Sequence, residues 1–210
     1  MTVELDIRTL ELVCSRICHE LVSPVGAINN GVELIEDIAG AAGEGVSEAL
    51  QLIAASADQA TRRLRLLRLA YGAAGTESSA TERDFRATAA HYFQDGRVAL
   101  DWPDRVGGLA LTQPGAGKLL LNLLMLAEEA LPYGGVIHVG DEELPSVVAE
   151  GRGVALRSEV SAALTGASNA DGLTARSIHG FVTRCFAARA GLRVVVTPQG
   201  MARLGIELGR

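Results

Sequence analysis

Leu10, Cys14, Ile17, Leu21, Pro24, Ile28, Gly31 and Ile35 recur at alternating steps of four and three residues, the spacing that lines up one stripe of a helix against a neighbouring helix. The same alternation returns in Val46, Leu50, Ile53, Ala57, Ala60, Leu64, Leu67 and Tyr71, after the glycine-containing break AGAAGEG at Ala39 to Gly45. Two long helices across so short a break predict an antiparallel hairpin. Val13, Cys18, Val22, Val25, Val32 and Leu34 lie off the stripe and are apolar too, so helix one carries more apolar surface than a single partner helix covers. The expected form is a homodimer in which two hairpins make a four-helix bundle.

With 210 residues and 48% apolar content, the chain has room for one large or two small domains. Its apolar runs are broken by charge or glycine before the roughly 20 residues a membrane span requires. The N-terminus MTVELDIRTLELV lacks the basic start of a signal peptide, so the expectation is a cytoplasmic protein with no membrane partner. A net charge of −6 and only four Phe, three Tyr and one Trp argue against nucleic acid as a partner, which needs cationic surface and stacking platforms. Cys14, Cys18 and Cys185 form no CxxC pair; they read as reduced, half-buried fillers rather than a disulfide framework.

Within the first helix, His19 lies roughly 200° from both Ile17 and Leu21 and therefore faces outward. Arg16, Ser23, Gly26 and Asn30 fall within about 60° of the same line, a polar and small-residue stripe that, with Val22, reads as a docking surface. On helix two the outer face carries Glu48, Gln51, Asp58, Arg62 and Arg65. Mirroring across the break sets Arg62 and Arg65 roughly level with His19, where they would offer cations to a phosphate. Pro24 removes a backbone donor and is expected to bend the helix one turn after His19. Cys14 on the apolar stripe and His19 opposite it do not converge on a metal.

His19-Glu20-Leu21-Val22-Ser23-Pro24 resembles the H-box of bacterial sensor histidine kinases: a phosphorylatable His, an acidic residue, Leu, a variable position, Ser or Thr, and Pro, on helix one of a dimeric hairpin. More closely, RICHELVSPVGAINNGVELIED at Arg16 to Asp37, LRLAYGA at Leu67 to Ala73 and EEALPYGGVIHV at Glu128 to Val139 are similar to the ChpT-type histidine phosphotransferases of a bacterial cell-cycle phosphorelay. The resemblance spans essentially the whole chain. It implies that His19 carries a phosphoryl group between the receiver domain of a hybrid histidine kinase and the receivers of response regulators. By the same resemblance Glu20 would hydrogen-bond the second ring nitrogen, Ser23 would lie close to the ring, and Mg²⁺ would sit in the receiver's own acidic pocket, with no cofactor on this chain. An ATP-dependent sensor-type kinase and a non-catalytic dimeric scaffold for receivers are the alternatives.

Gly72 to Thr81, GAAGTESSAT, reads as a linker between a hairpin at 1–74 and a second domain at 82–210. Beyond it the pattern predicts helices at Asp84–Phe93, Gly117–Leu131, Arg157–Leu164 and Leu173–Ala190. Strands are predicted at Arg97–Trp102, Val136–Val139, Ser146–Ala149 and Val154–Leu156, with a closing hairpin turned at Pro198, Gln199 and Gly200. An α/β sandwich follows, making the whole chain α+β. This half resembles a degenerate kinase ATP-binding domain. In GKLLLNLLMLAEEA, Asn122 stands at an earlier Asn of the kinase helix and Leu126 where the kinase has its Mg²⁺-ligating Asn. The Asp-x-Gly-x-Gly loop has no counterpart, and DGLTARSIHGF keeps only Gly172 and Gly180 of a glycine-rich lid. QPGAGK at Gln113 to Lys118 lacks P-loop spacing and is expected to cap the next helix. GDEEL at Gly140 to Leu144 reads as a solvated turn, and His91, His138 and His179 as surface or structural residues.

Overall fold

In the computed structural model, which describes residues 6–38, 45–73, 80–103, 114–167 and 172–210, two long helices open the chain. α1 (Ile7–Ile38) runs for 32 residues through Pro24 without interruption. α2 (Val46–Ala70) returns beside it, entered at Gly45, whose φ of 104° favours a residue with no side chain. A Cβ at Gly31 would lie 2.6 Å from Ile53 Cγ1 and 3.3 Å from the Ala49 carbonyl oxygen. The bare backbone at Gly31 therefore sets how closely the helices approach. The break at 39–44 and linker residues 74–79 lie outside the described residues.

The hairpin closes along only one edge of the stripe expected to be its seam. Pro24 and Gly31 are buried, but Leu10, Leu50 and Leu64 are more than half exposed and Cys14 is exposed. The reason is rotational: α1 turns its Glu20 and Gly31 side toward α2, which leaves the Leu10 and Cys14 edge uncovered among the described residues. Cys18 is exposed as well, so only Cys185 is the half-buried filler expected of the three thiols.

Five strands make one mixed sheet in the order β1-β2-β3-β5-β4: β1 (Val98–Asp101), β2 (Gly135–Val139), β3 (Ser146–Glu150), β4 (Arg193–Pro198) and β5 (Arg203–Gly209). β1 runs parallel to β2, and every other pairing is antiparallel. Ile137, Val139, Val147, Ala149, Leu204 and Ile206 are buried, while the alternate residues His138, Glu150, Arg203 and Glu207 are not, as the two-residue period of a strand requires. The buried face is covered by α3 (Glu82–Phe93), α4 (Ala116–Glu129), α5 (Ser158–Thr165) and α6 (Ile178–Arg189). α3 starts on a capping box between Thr81 and Asp84. The result is the α+β chain with an α/β sandwich that the pattern predicts.

Two predicted elements differ. Val154–Leu156 is not a strand, because the Ala155 N–H bonds the Ala130 carbonyl at the end of α4 instead of a ladder partner. The last long helix starts at Ile178 rather than Leu173, since Thr174 and Ser177 bond each other's backbone and side chains in a turn just before it. Leu66, Leu67, Leu69 and Ala70 at the end of α2 pack with Phe85, Leu120, Leu124, Ile137 and Ile206 in a single core. Each leucine so buried contributes about 2 kcal/mol, enough to anchor the hairpin on the sandwich. No described helix is long and apolar enough to cross a membrane.

Candidate functional site

Around α1 the residues fall on three faces. One packs on α2 and the sandwich, one is the exposed apolar edge with Leu10 and Cys14, and the third carries His19. His19, Val22, Ser23 and Asn30 are exposed, and Gly26 has nothing within 4 Å of where a Cβ would stand. The structure thus keeps five of the expected residues on one accessible strip, with the imidazole free to meet an incoming group.

Glu20 turns away from that strip. Its carboxylate accepts a hydrogen bond from Arg63 Nη1 at 2.8 Å, and its backbone carbonyl accepts a second from the same nitrogen at 2.8 Å. The second bond has a covalent cause. In a helix the carbonyl of residue 20 would be matched by the N–H of residue 24, and Pro24 has none. Arg63 supplies the missing donor across the hairpin, so the proline is carried in an unbroken helix. Glu20 is therefore bound to α2 rather than to the His19 ring, to which the resemblance assigned it.

Arg63 is the residue that sequence reasoning missed. Arg62 and Arg65 stand about 100° and 200° from it around α2 and meet other neighbours. Arg62 is ion-paired with Asp58 and donates to the Gln94 carbonyl at 3.0 Å. It lines a cavity of about 610 Å³ with Arg63, Tyr92, Arg97 and Glu128, on the α3 side. Arg65 is exposed beside Ile17 and Leu64. Neither cation stands on the His19 strip, so their expected role as partners of a phosphate at His19 is corrected. A signal for Arg63 exists: the carbonyl four residues before a mid-helix proline needs a donor.

Arg16 is corrected too. Its side chain is only 12% exposed, too buried for a free docking stripe, because its guanidinium bonds the Glu129 carboxylate at the end of α4. It also lies 3.9 Å from Glu20. Glu129 in turn accepts from His179 Nδ1 at 2.9 Å, and the His179 ring meets Tyr71 edge-on at 5.8 Å. Burial pushes the Glu129 carboxyl up, yet the bonds from His179 and Arg16 hold it below the usual carboxylate range. Burial drives the His179 imidazole below its ordinary value against the pull of Glu129. A neutral ring donating from Nδ1 to an ionised carboxylate fits both. Burial also raises the Tyr71 phenol and the Glu128 carboxyl, which accepts from Tyr92.

Deeper in the sandwich, Asn122 is fully buried and donates to the Ala70 and Lys118 carbonyls at 2.8 Å. Lys118 donates to the Tyr71 and Gly72 carbonyls, so both residues tie α4 to the end of α2. Leu126 is fully buried in the same core. Gly115, at φ 86°, is the N-cap of α4, the capping role expected for this stretch. His91 is exposed. His138 lies near the surface between Asp101 and Glu150.

Comparison with known proteins identifies the family. Residues 82–202 match the family model described as histidine phosphotransferase C-terminal domain. The chain is 36% identical over 191 residues to protein phosphotransferase ChpT of Brucella abortus (strain 2308), covering 88% of each chain. A solved structure of a bacterial phosphotransferase superposes with a TM-score of 0.80 at 30% identity, covering 99% of this chain and 98% of the other.

Proposed function

The chain belongs to the ChpT-type histidine phosphotransferases, and on that premise we propose that it relays a phosphoryl group through His19 between receiver domains. The donor in this reading is the receiver of a hybrid histidine kinase, and the acceptors are response-regulator receivers. One observation supports it most directly: His19 is exposed on a helix whose charged residues nearby, Arg16 and Glu20, are both engaged inward.

A neutral imidazole offers a lone pair on one ring nitrogen. That nitrogen attacks the phosphorus of the donor's aspartyl phosphate. The N–P bond forms as the acyl P–O bond breaks, and the electron pair leaves with the donor carboxylate. Transfer to a second receiver aspartate reverses the step. Such chemistry needs mainly alignment and charge neutralisation, the latter from Mg²⁺ in the receiver's acidic pocket. Val22, Ser23, Gly26 and Asn30 form the strip on which a receiver helix seats, small residues permitting close approach. The exposed edge of Leu10, Cys14, Leu50 and Leu64 is the face across which two hairpins pair as a homodimer.

ATP is not the phosphate source in this reading. Leu126 occupies the position of the kinase's metal-ligating Asn, and an apolar side chain cannot coordinate a hard cation; Asn122 is fully buried, with its Nδ2 bonded to the Ala70 and Lys118 carbonyls. The test is a labelling assay with receiver domains charged on aspartate, with and without ATP. Label is expected on the native chain, absent from His19→Ala, and independent of ATP. Label from ATP and Mg²⁺ alone would make the chain a kinase, and receiver binding without label at any time would make it a scaffold.

A further inference from the structure

Resting on that reading, we propose that Glu129 and His179 are positioning residues for phosphotransfer: with Arg16 they latch the phosphoacceptor helix to the sandwich. Arg16 precedes His19 by three residues on α1 and enters the sandwich instead of the solvent. Its guanidinium bonds Glu129 at the end of α4, Glu129 is bonded by His179 of α6, and His179 is fully buried. On the other side, Arg16 lies 3.9 Å from Glu20, which Arg63 holds from α2. His179, Glu129, Arg16, Glu20 and Arg63 thus form a chain of polar contacts joining α6, α4, α1 and α2, and it crosses α1 at the turn that presents His19.

Apolar packing alone would let a helix roll by several degrees at little cost, since such contacts are non-directional. Partly buried, charge-assisted hydrogen bonds are directional and short-ranged. They define the roll of α1 and so the heading of the imidazole. Half-buried ion pairs add little net stability and are better suited to specifying one arrangement. The latch also fixes the sandwich against the hairpin, so a docked receiver meets one preset surface. A misplacement of about 1 Å at the reacting atoms can cost two orders of magnitude in rate.

The experiment uses the full chain and a panel of receiver domains from the source genome. Each is loaded from acetyl phosphate and desalted, and the fastest donor is kept. Glu129→Gln is expected to lower the maximal transfer rate about tenfold, with the half-saturating receiver concentration changed less than about twofold. Glu129→Asp, which keeps the charge, should recover part of the rate. Should Glu129→Gln lose its cooperative melting transition, Arg16→Lys carries the test, because a compact ammonium on a flexible stem does not reproduce the directional bond of the planar guanidinium to Glu129, and the same split is expected. An unchanged maximal rate in a folded variant, or a loss confined to half-saturation, would overturn the proposal. A native chain that takes no phosphate from any receiver would overturn the function reading itself, a result visible before any variant is compared.

Discussion

Arg63 completes the helical hydrogen bond that Pro24 removes: its guanidinium donates to the Glu20 carbonyl at 2.8 Å, from the far side of the hairpin. A residue on α2 thereby carries the backbone cost of a proline on α1. The same nitrogen reaches the Glu20 carboxylate, so the residue next to His19 is held at both its backbone and its side chain.

Replacing Arg63 by Ala should cost about 1–2 kcal/mol, since it leaves a carbonyl and a carboxylate without their donor; the pair is 28% and 29% exposed, and solvent screening takes part of the effect. Arg62→Ala, which breaks a pair with a 44% exposed Asp58, should cost under about 1 kcal/mol. Urea unfolding of both variants measures the difference. Equal losses would deny Arg63 its special place.

Gly26 and Gly31 lie on the same helix and should respond in opposite directions. Gly26→Ala fills open space and relieves the entropic cost of a mid-helix glycine, a gain of roughly 0.5–1 kcal/mol. Gly31→Val drives a side chain into Ile53 and the Ala49 carbonyl, a loss of about 1–3 kcal/mol. Denaturant midpoints decide it; a destabilised Gly26→Ala would contradict the open face.

Acid should weaken the fold through His179. The unfolded imidazole takes up a proton near its ordinary value of 6.5, while the buried ring resists doing so. The unfolded state then binds more protons, and stability present above pH 6.5 is lost as pH falls below it. Glu129, held low, gives up its contribution only in more acidic solution. Glu128 works in the opposite direction, because its raised carboxyl gains a proton in the folded state first. Melting temperatures across this range should fall in the native chain and change less in His179→Gln. Parallel curves would remove the histidine from the explanation.

Leu50→Glu combined with Leu64→Glu should abolish the proposed pairing of two hairpins and leave a folded monomer where the native chain sediments as a dimer, because both side chains are more than half exposed on the apolar edge of the hairpin and a charge there opposes burial between copies. Sedimentation at several concentrations reads the outcome. A variant that still sediments as a dimer would place the interface elsewhere.

The periodicity of residues 10–35 and 46–71 was sufficient to define the hairpin, and 100° arithmetic was sufficient to turn His19 outward, because both depend on angles about a single helix axis. The succession of helices and strands after residue 82 was legible for the same local reason, apart from Val154–Leu156, whose partner is the end of α4. What occupies each angle was decided only in the tertiary structure. Arg16 shares the polar side of α1 in sequence, yet Glu129, more than a hundred residues away, draws it inward. Among three arginines within four positions on α2, only Arg63 faces the carbonyl that Pro24 exposes. A local pattern states which direction a side chain leaves its helix; the long-range packing of α4 and α6 against α1 decides whether it meets water, a carboxylate or a partner.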